Sequence, residues 1–352
     1  MGSGGILGDV SDHDTRLTVA DSVAFGRQAP RPRRRRGVVG AAAAIVLAGA
    51  IVTVGVVVRS GPQSPDPPGV IAPGAWAASL PPGGPPPVPY LAGTQVVLPD
   101  GSRVASGGAT ARVVGMTTAG LVVLVASLTP EGNPSSSRFV LVTGAGVVRE
   151  LPVPTVAVGG ALEAVVSPDG RFLAASHDIL DMADLGTVGH LPRNARYLLS
   201  WTPAGILYAA PDGDYFLWSQ GAGSRPLAAF PGSFASGTDI GIKHCSIVRL
   251  TRSGRTSPLS ACIEGVRWVS PTGRWALTRD LRLVEVASGR SRTLTPAPVD
   301  PLPGAYVQVW WEGDRSLLVP IGTHLVRCVT ATARCERAAD TPGLRDGVLA
   351  LP

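Results

Sequence analysis

The stretch 167–176, SPDGRFLAAS, decides the fold. Ser167, Pro168, Asp169 and Gly170 compose a turn: Pro168 presets φ near about −65°, Asp169 bonds locally to the backbone, and Gly170 accepts positive φ. The apolar runs on either side, LEAVV (162–166) and RFLAAS (171–176), are then the strands of a hairpin. The same grammar recurs in ARVVGM-TTAG-LVVLVAS (111–127), RYLLSW-TPAG-ILYAA (196–210), VRWV-SPTG-RWALT (266–278) and VQVWW-EGDR-SLLVP (307–320). Thr202, Pro203 and Gly205 mark the third of these turns in chain order, and Ser270, Pro271 and Gly273 the fourth. Strands of Val, Leu, Ile and Trp are what a buried sheet requires.

Further strands with glycine turns follow these hairpins: FVLVTGAGVVREL (139–151), YFLWSQGAGSRPLAAF (215–230) and LRLVEVASGRSRTLT (281–295). A hairpin plus a second strand pair is a four-stranded antiparallel unit, and such units in series make a propeller. The turn glycines Gly120, Gly170, Gly205, Gly273 and Gly313 are 50, 35, 68 and 40 residues apart. The interval of 68 leaves room for one divergent unit, supplied by a hairpin over 242–264. At ~40–45 residues per blade, residues 91–352 make an all-β propeller of about six four-stranded blades. A β-sandwich does not need so many units.

SPDGRFLAAS, with its relatives SPTGRWALT (270–278) and TPAGILYAA (202–210), resembles the repeat of TolB-like and other WD40-like bacterial β-propellers. Trp-Asp and Gly-His signatures at WD40 spacing are absent, and one repeat is a close match. The resemblance implies a binding or scaffolding domain, with enzymes among the larger relatives, and leaves the ligand unspecified.

The remainder of the chain places this domain. Residues 38–58, VVGAAAAIVLAGAIVTVGVVV, carry no charge and span ~30 Å as a helix, the thickness of a bilayer core. A transmembrane helix over 37–59 is expected. Arg27, Arg31, Arg33, Arg34, Arg35 and Arg36 precede it, whereas Arg59 alone follows closely, so the positive-inside rule puts a tail of residues 1–36 in the cytoplasm and the propeller outside. The apolar run is too long for a cleaved signal peptide, and the first small-x-small site, Ala75-Trp76-Ala77, lies well beyond it. The tail is expected to be disordered apart from a short helix over 15–25. Residues 61–90 hold 11 Pro and 5 Gly, and the segment 60–90 reads as an extended stalk in which Trp76 touches either lipid headgroups or the domain.

Composition agrees. With 45% hydrophobic and 16% charged residues, 44 Gly and 33 Pro, the chain is neither a helical bundle nor disordered throughout. Its mean hydropathy of +0.24 reflects the apolar run. The basic residues are 30 Arg and one Lys, Lys243, a bias of GC-rich coding that weakens Arg richness as a sign of nucleic-acid binding. No nucleic-acid partner is expected, because topology already accounts for Arg33 to Arg36.

Cys245, Cys262, Cys328 and Cys335 all lie in the extracytoplasmic part, where disulfides persist. A two-residue turn at Ser253-Gly254 places Cys245 opposite Cys262, and a hairpin turning at Ala331-Thr332 places Cys328 opposite Cys335. These pairings are expected, with the other two pairings of four cysteines open. Zinc ligation lacks both the CxxC spacing and supporting His.

The chain has no HExxH, GxSxG, P-loop or GxGxxG motif. His13 precedes the apolar run, and His177, His190, His244 and His324 are scattered. Asp178, Asp181 and Asp184 read as a solvated loop, Asp212-Gly213-Asp214 as a turn, and Trp268, Trp275, Trp310 and Trp311 as blade packing. No catalytic residue, cofactor or metal site is assigned. The expected function is a single-pass, membrane-anchored propeller that binds or scaffolds a protein, peptide or envelope polymer. The alternative is an extracytoplasmic hydrolase or lyase with its site in the channel. A third possibility makes the cytoplasmic tail a partner site that follows ectodomain occupancy.

Overall fold

A computed structural model describes residues 72–130, 134–154, 164–227, 232–234, 237–295, 308–340 and 349–350. The apolar run 38–58, Arg33 to Arg36 and the tail lie outside them. Among the described residues no helix is long and apolar enough to cross a membrane.

The described residues form seven four-stranded antiparallel sheets. From the innermost strand outward, blade one is Leu349–Ala350, Tyr90–Ala92, Gln95–Val97 and Arg103–Ala105. Blade two is Thr110–Thr117, Gly120–Leu128, Pro134–Val142 and Val148–Glu150, and blade three is Val165–Val166, Phe172–Ala175, Asp178–Asp181 and Thr187–His190. Blade four comprises Tyr197–Thr202, Gly205–Ala209, Tyr215–Ser219 and Gly223–Leu227; blade five comprises Ser233–Phe234, Ile240–Lys243, Ser246–Leu250 and Thr256–Cys262. Blade six follows with Val266–Val269, Trp275–Thr278, Arg282–Glu285 and Ser291–Thr293, and blade seven with Trp310–Glu312, Ser316–Ile321, His324–Val329 and Cys335–Asp340.

The blade count of about six is therefore corrected to seven. The uncounted blade is split between the two ends of the domain, with Leu91 opposite Ala350 and Ala92 opposite Leu349. Its strands are two or three residues long and lack the recurring turn, so no periodicity announces them.

Alternation explains why the strands read as unbroken apolar runs. In a propeller each sheet is sandwiched between neighbours, so residues of both parities are buried. In LVVLV (121–125), Leu121, Val123 and Val125 pack with Leu91 and Val96 of blade one, whereas Val122 packs with Leu173 and Leu180 of blade three. Similar clusters join blades three and four through Ala174 and Ile206, four and five through Leu217 and Val248, and five and six through Ile247 and Ala276. Leu277 and Leu317 join six to seven, and Leu325 with Tyr90 joins seven to one, so the ring is closed by packing as well as by the strand pairing of residues 349–350.

The stalk expected over 60–90 does not describe residues 72–89. Pro73–Ser79 is a helix with Pro73 at its start, and Trp76 and Ala77 are buried among Leu277, Leu317 and Val319 of blades six and seven. Past the helix, Pro82 bridges Arg337 in parallel: Gly83 N–H donates to the Arg337 carbonyl at 2.9 Å and Arg337 N–H donates to that of Pro81 at 2.8 Å. A Cβ at Gly83 would overlap the Glu336 side chain. The segment is a strap over the outer edge of blade seven, and covering an edge strand removes a site of edge-to-edge pairing. Its anchor is Arg327, which donates to Gly84 and Pro85 carbonyls at 3.0 and 3.2 Å while paired with Glu312 at 2.9 Å and Glu336 at 3.0 Å. Burial lowers the Arg327 pKa, and the bonds to Glu312 and Glu336 outweigh it, so the guanidinium is held above its ordinary value.

Candidate interaction surface

In every blade the strands alternate in direction from the innermost outward. The turn between the first and second strands and the turn between the third and fourth therefore emerge at one end, and the remaining connections at the other. The recurring turns all lie on the first of these faces.

They are of two kinds. In SPDG and SPTG the serine is buried and works as a staple. The Ser167 hydroxyl accepts from Phe172 N–H at 2.8 Å and donates to Asp169 at 2.6 Å, and Ser270 Oγ accepts from Trp275 N–H at 3.1 Å. Gly170 and Gly273 have φ of 70° and 78°. In TTAG and TPAG the loop has only two residues, and the threonine hydroxyls of Thr117 and Thr202 donate to Gly120 and Gly205 carbonyls at 2.8 and 2.9 Å. Those glycines begin the second strand, where a Cβ would lie 2.3 Å from the carbonyl oxygens of Val142 and Trp218.

Neighbouring turns lock together. Thr118 N–H of blade two donates to Gly170 O of blade three at 2.9 Å, Gly237 N–H of blade five to Trp201 O of blade four at 2.8 Å, and the Thr272 hydroxyl of blade six to Asp314 of blade seven at 2.7 Å. Ser167 first, then Arg171 N–H, hold the Asp169 carboxyl below the usual range. Asp181, expected in a solvated loop, ends a strand and is 6% exposed. Ala183 N–H and the Arg171 guanidinium, at 2.9 Å, keep its pKa low.

Both disulfides are present, Cys245–Cys262 and Cys328–Cys335, each between the third strand, or the residue before it, and the fourth strand of one blade. The turn at Ser253-Gly254 differs from the expected two-residue form: Leu250 faces Thr256, Thr251 N–H donates to Arg255 O, and Gly254 at φ 76° closes a three-residue loop. A bulge between Ser246 and Val248 shifts the register so that Ser246, not Cys245, lies opposite Cys262, and the disulfide joins Cys262 to the residue just before the strand. Cys328 faces Cys335 directly, across a turn in which Ala333 N–H donates to Val329 O and Ala333 has φ 55°.

The histidines are dispersed. His190 bonds Asp178 at 2.8 Å and His324 bonds Asp340 at 2.7 Å, both between the third and fourth strands on the second face. Among the described residues the buried His177 Nδ1 and Ser176 Oγ have no hydrogen-bond partner. Among the described residues no group of three His, Cys, Asp or Glu is arranged to hold a metal. Asp212 caps its turn by accepting Asp214 N–H at 3.2 Å. Trp275 is buried, and Trp268 and Trp311 pack beside it between blades six and seven. A cleft of about 200 Å³ between blades three and four is walled by Phe172, Val188, Trp201, Pro203 and Trp218. A groove of about 460 Å³ runs between Leu259, Cys262, Arg282 and Ser291 of blades five and six.

These elements define a seven-bladed β-propeller in which strands from the two ends of the domain pair in one blade. No family model matches the sequence, and no curated protein matches it. Among solved structures, the chain is similar to one described as "Crystal Structure of Mitotic Checkpoint Complex", at 14% identity and a TM-score of 0.40, over 68% of this chain and 83% of that one.

Proposed function

We propose that this protein is a single-pass membrane protein, N-terminus in the cytoplasm, whose TolB-like propeller lies outside and serves as a binding or scaffold module for a protein, peptide or envelope polymer. The observation that carries the binding role is that turns on one face are locked together in pairs at three blade junctions, two–three, four–five and six–seven. Loops tied blade to blade by Thr118, Gly237 and Thr272 meet a partner without being ordered by it, which lowers the entropic cost of association. The membrane setting rests on the uncharged run 38–58 with its preceding arginines, and two disulfides suit an oxidising compartment.

Two experiments test this. Cysteines introduced as Ala287→Cys and Ser3→Cys are exposed to a membrane-impermeant maleimide; labelling of the first in intact cells and of the second only after lysis is expected. The reverse pattern overturns the topology. Capture of envelope components by the detergent-solubilised protein is expected to retain a defined partner. Turnover of a glycan or peptide panel with nothing retained overturns the binding role in favour of an enzyme.

A further inference from the structure

The turn between the third and fourth strands closes in the same manner in each blade, through a pair at the end of the third strand. The residue whose carbonyl closes the turn is Ser102, Val147 and Gly186 in blades one to three, and Gly223 pairs with Ser219 in blade four. In blades five, six and seven it is Arg255, Arg290 and Arg334. Identical side chains thus stand at one position in three successive blades, and at none of the other four. A coding bias towards arginine acts on all blades alike and does not produce this segment.

The turns between the first and second strands add to it. Arg171, Arg274 and Arg315 occupy one position in blades three, six and seven, each accepting at its carbonyl an N–H from just beyond the third strand, from Met182, Val286 and Thr330. In blades three and six the last residue of that strand is acidic and pairs with the arginine, Asp181 at 2.9 Å and Glu285 at 3.7 Å. In blade seven the corresponding residue is Val329, 40% exposed, and Arg315 keeps the position without the carboxylate. Arg252, Arg255, Arg290, Arg315 and Arg334 are exposed, and their side chains make no ion pair or hydrogen bond among the described residues. Carboxylates on these turns are already engaged: Asp239 by Arg249, Glu285 by Arg274, Asp314 by Thr272.

We infer that this arc of arginines across blades five to seven is the docking surface for a linear polymer bearing one phosphodiester per repeat. The inference rests on the binding role proposed above and specifies its ligand. Equal side chains at equal positions match a ligand whose charges recur, and the guanidinium fork suits phosphate oxygens. The third-to-fourth-strand turns that carry Arg255, Arg290 and Arg334 are otherwise Ser, Thr, Gly and Ala, apart from Arg252 and the buried Val286, with no aromatic residue to form the apolar centre of a protein interface.

Binding of the full-length protein in non-ionic detergent to labelled poly(glycerol phosphate) tests this across a salt series. One variant combines Arg255→Gln, Arg290→Gln and Arg334→Gln. A second removes equal charge elsewhere, by Arg103→Gln, Arg149→Gln and Arg193→Gln. The arc variant is expected to bind about tenfold or more weakly near physiological salt, with the slope of log affinity against log salt shallower by about 2 to 3, since each neutralised phosphate contributes roughly 0.7 to 0.9. The second variant is expected to stay within about twofold. Equal loss in both variants, no binding by the unmodified protein, or equal affinity for polygalacturonate or polyglutamate overturns the inference. If the arc variant still retains the captured envelope partner, the binding role stands and the arc is not its surface.

Discussion

The carbonyl oxygen of Gly170 accepts the backbone N–H of Thr118 at 2.9 Å, so the first turn of blade three is closed onto that of blade two. Gly170 has φ 70°, and a Cβ there would come within 3.2 Å of Thr118 N and 3.3 Å of Thr117 Cα. Gly289 has nearly the same φ, 68°, with nothing within 4 Å. Replacing each by alanine separates strain from crowding. Gly289→Ala is expected to cost about 1 kcal/mol for the left-handed backbone, and Gly170→Ala about 2 kcal/mol or more because the interblade bond is displaced as well. Urea unfolding midpoints check this, and equal losses would show that the turns do not bear on one another.

Trp76 is 4% exposed within the cluster shared by blades six and seven. Trp76→Ala is expected to cost about 3 to 5 kcal/mol, as truncating a buried tryptophan does. A loss below about 0.5 kcal/mol, the scale of surface changes, would mean that the strap adds nothing to the fold.

The two disulfides differ in access. Cys262 is exposed, whereas Cys328 is fully buried. Thiol exchange needs a path to sulfur, so mild reduction of the native protein followed by alkylation and mass spectrometry is expected to modify Cys245 and Cys262 first. The chain-entropy model gives about 3 kcal/mol for the wider loop and about 2.5 kcal/mol for the narrower one, so removing both pairs by Cys→Ser lowers stability without opening the ring.

Asp169 and Asp181 have carboxyl pKa values lowered by Ser167 and by Ala183 with Arg171, and at Asp280 the Thr278 hydroxyl and Arg282 prevail over burial, which acts the other way. A depressed carboxyl contributes stability that is complete above its unfolded pKa of about 3.9 and is lost as pH falls through the folded value. Stability is therefore expected to drop below about pH 4, and the Asp169→Asn/Asp181→Asn variant to show a shallower acid dependence than the parent. An unchanged acid slope would remove these two groups from the account.

Much of the ring was legible in the sequence because its signals are local. SPDG and SPTG specify turns by Ser167, Pro168, Gly170 and their counterparts, and the flanking runs specify strands buried on both sides. Blade one was not legible, since its pairing joins Leu91 to Ala350 across the whole domain through very short strands. The strap was obscured for a different reason. Proline and glycine dominate its composition, and only the tertiary partners of Trp76 and the bonds from Arg327 hold it down. The arginine arc lay in view as SGR (253–255), SGR (288–290) and TAR (332–334), but which turns share a face follows from the number and direction of strands between them.

Pairing Leu349–Ala350 with Tyr90–Ala92 also sets an order on biogenesis. While the chain is being made, blades two to six can each assemble beside the one before, but the innermost place in blade one stays vacant until residues 349–350 have left the ribosome. Until then the growing domain is an open arc with two unprotected apolar flanks, one at each end, and the cell must keep those flanks from sticking to other chains. Circular completion is thus a timed event, governed by translation and, where the domain is exported, by the rate at which its last strand crosses the membrane.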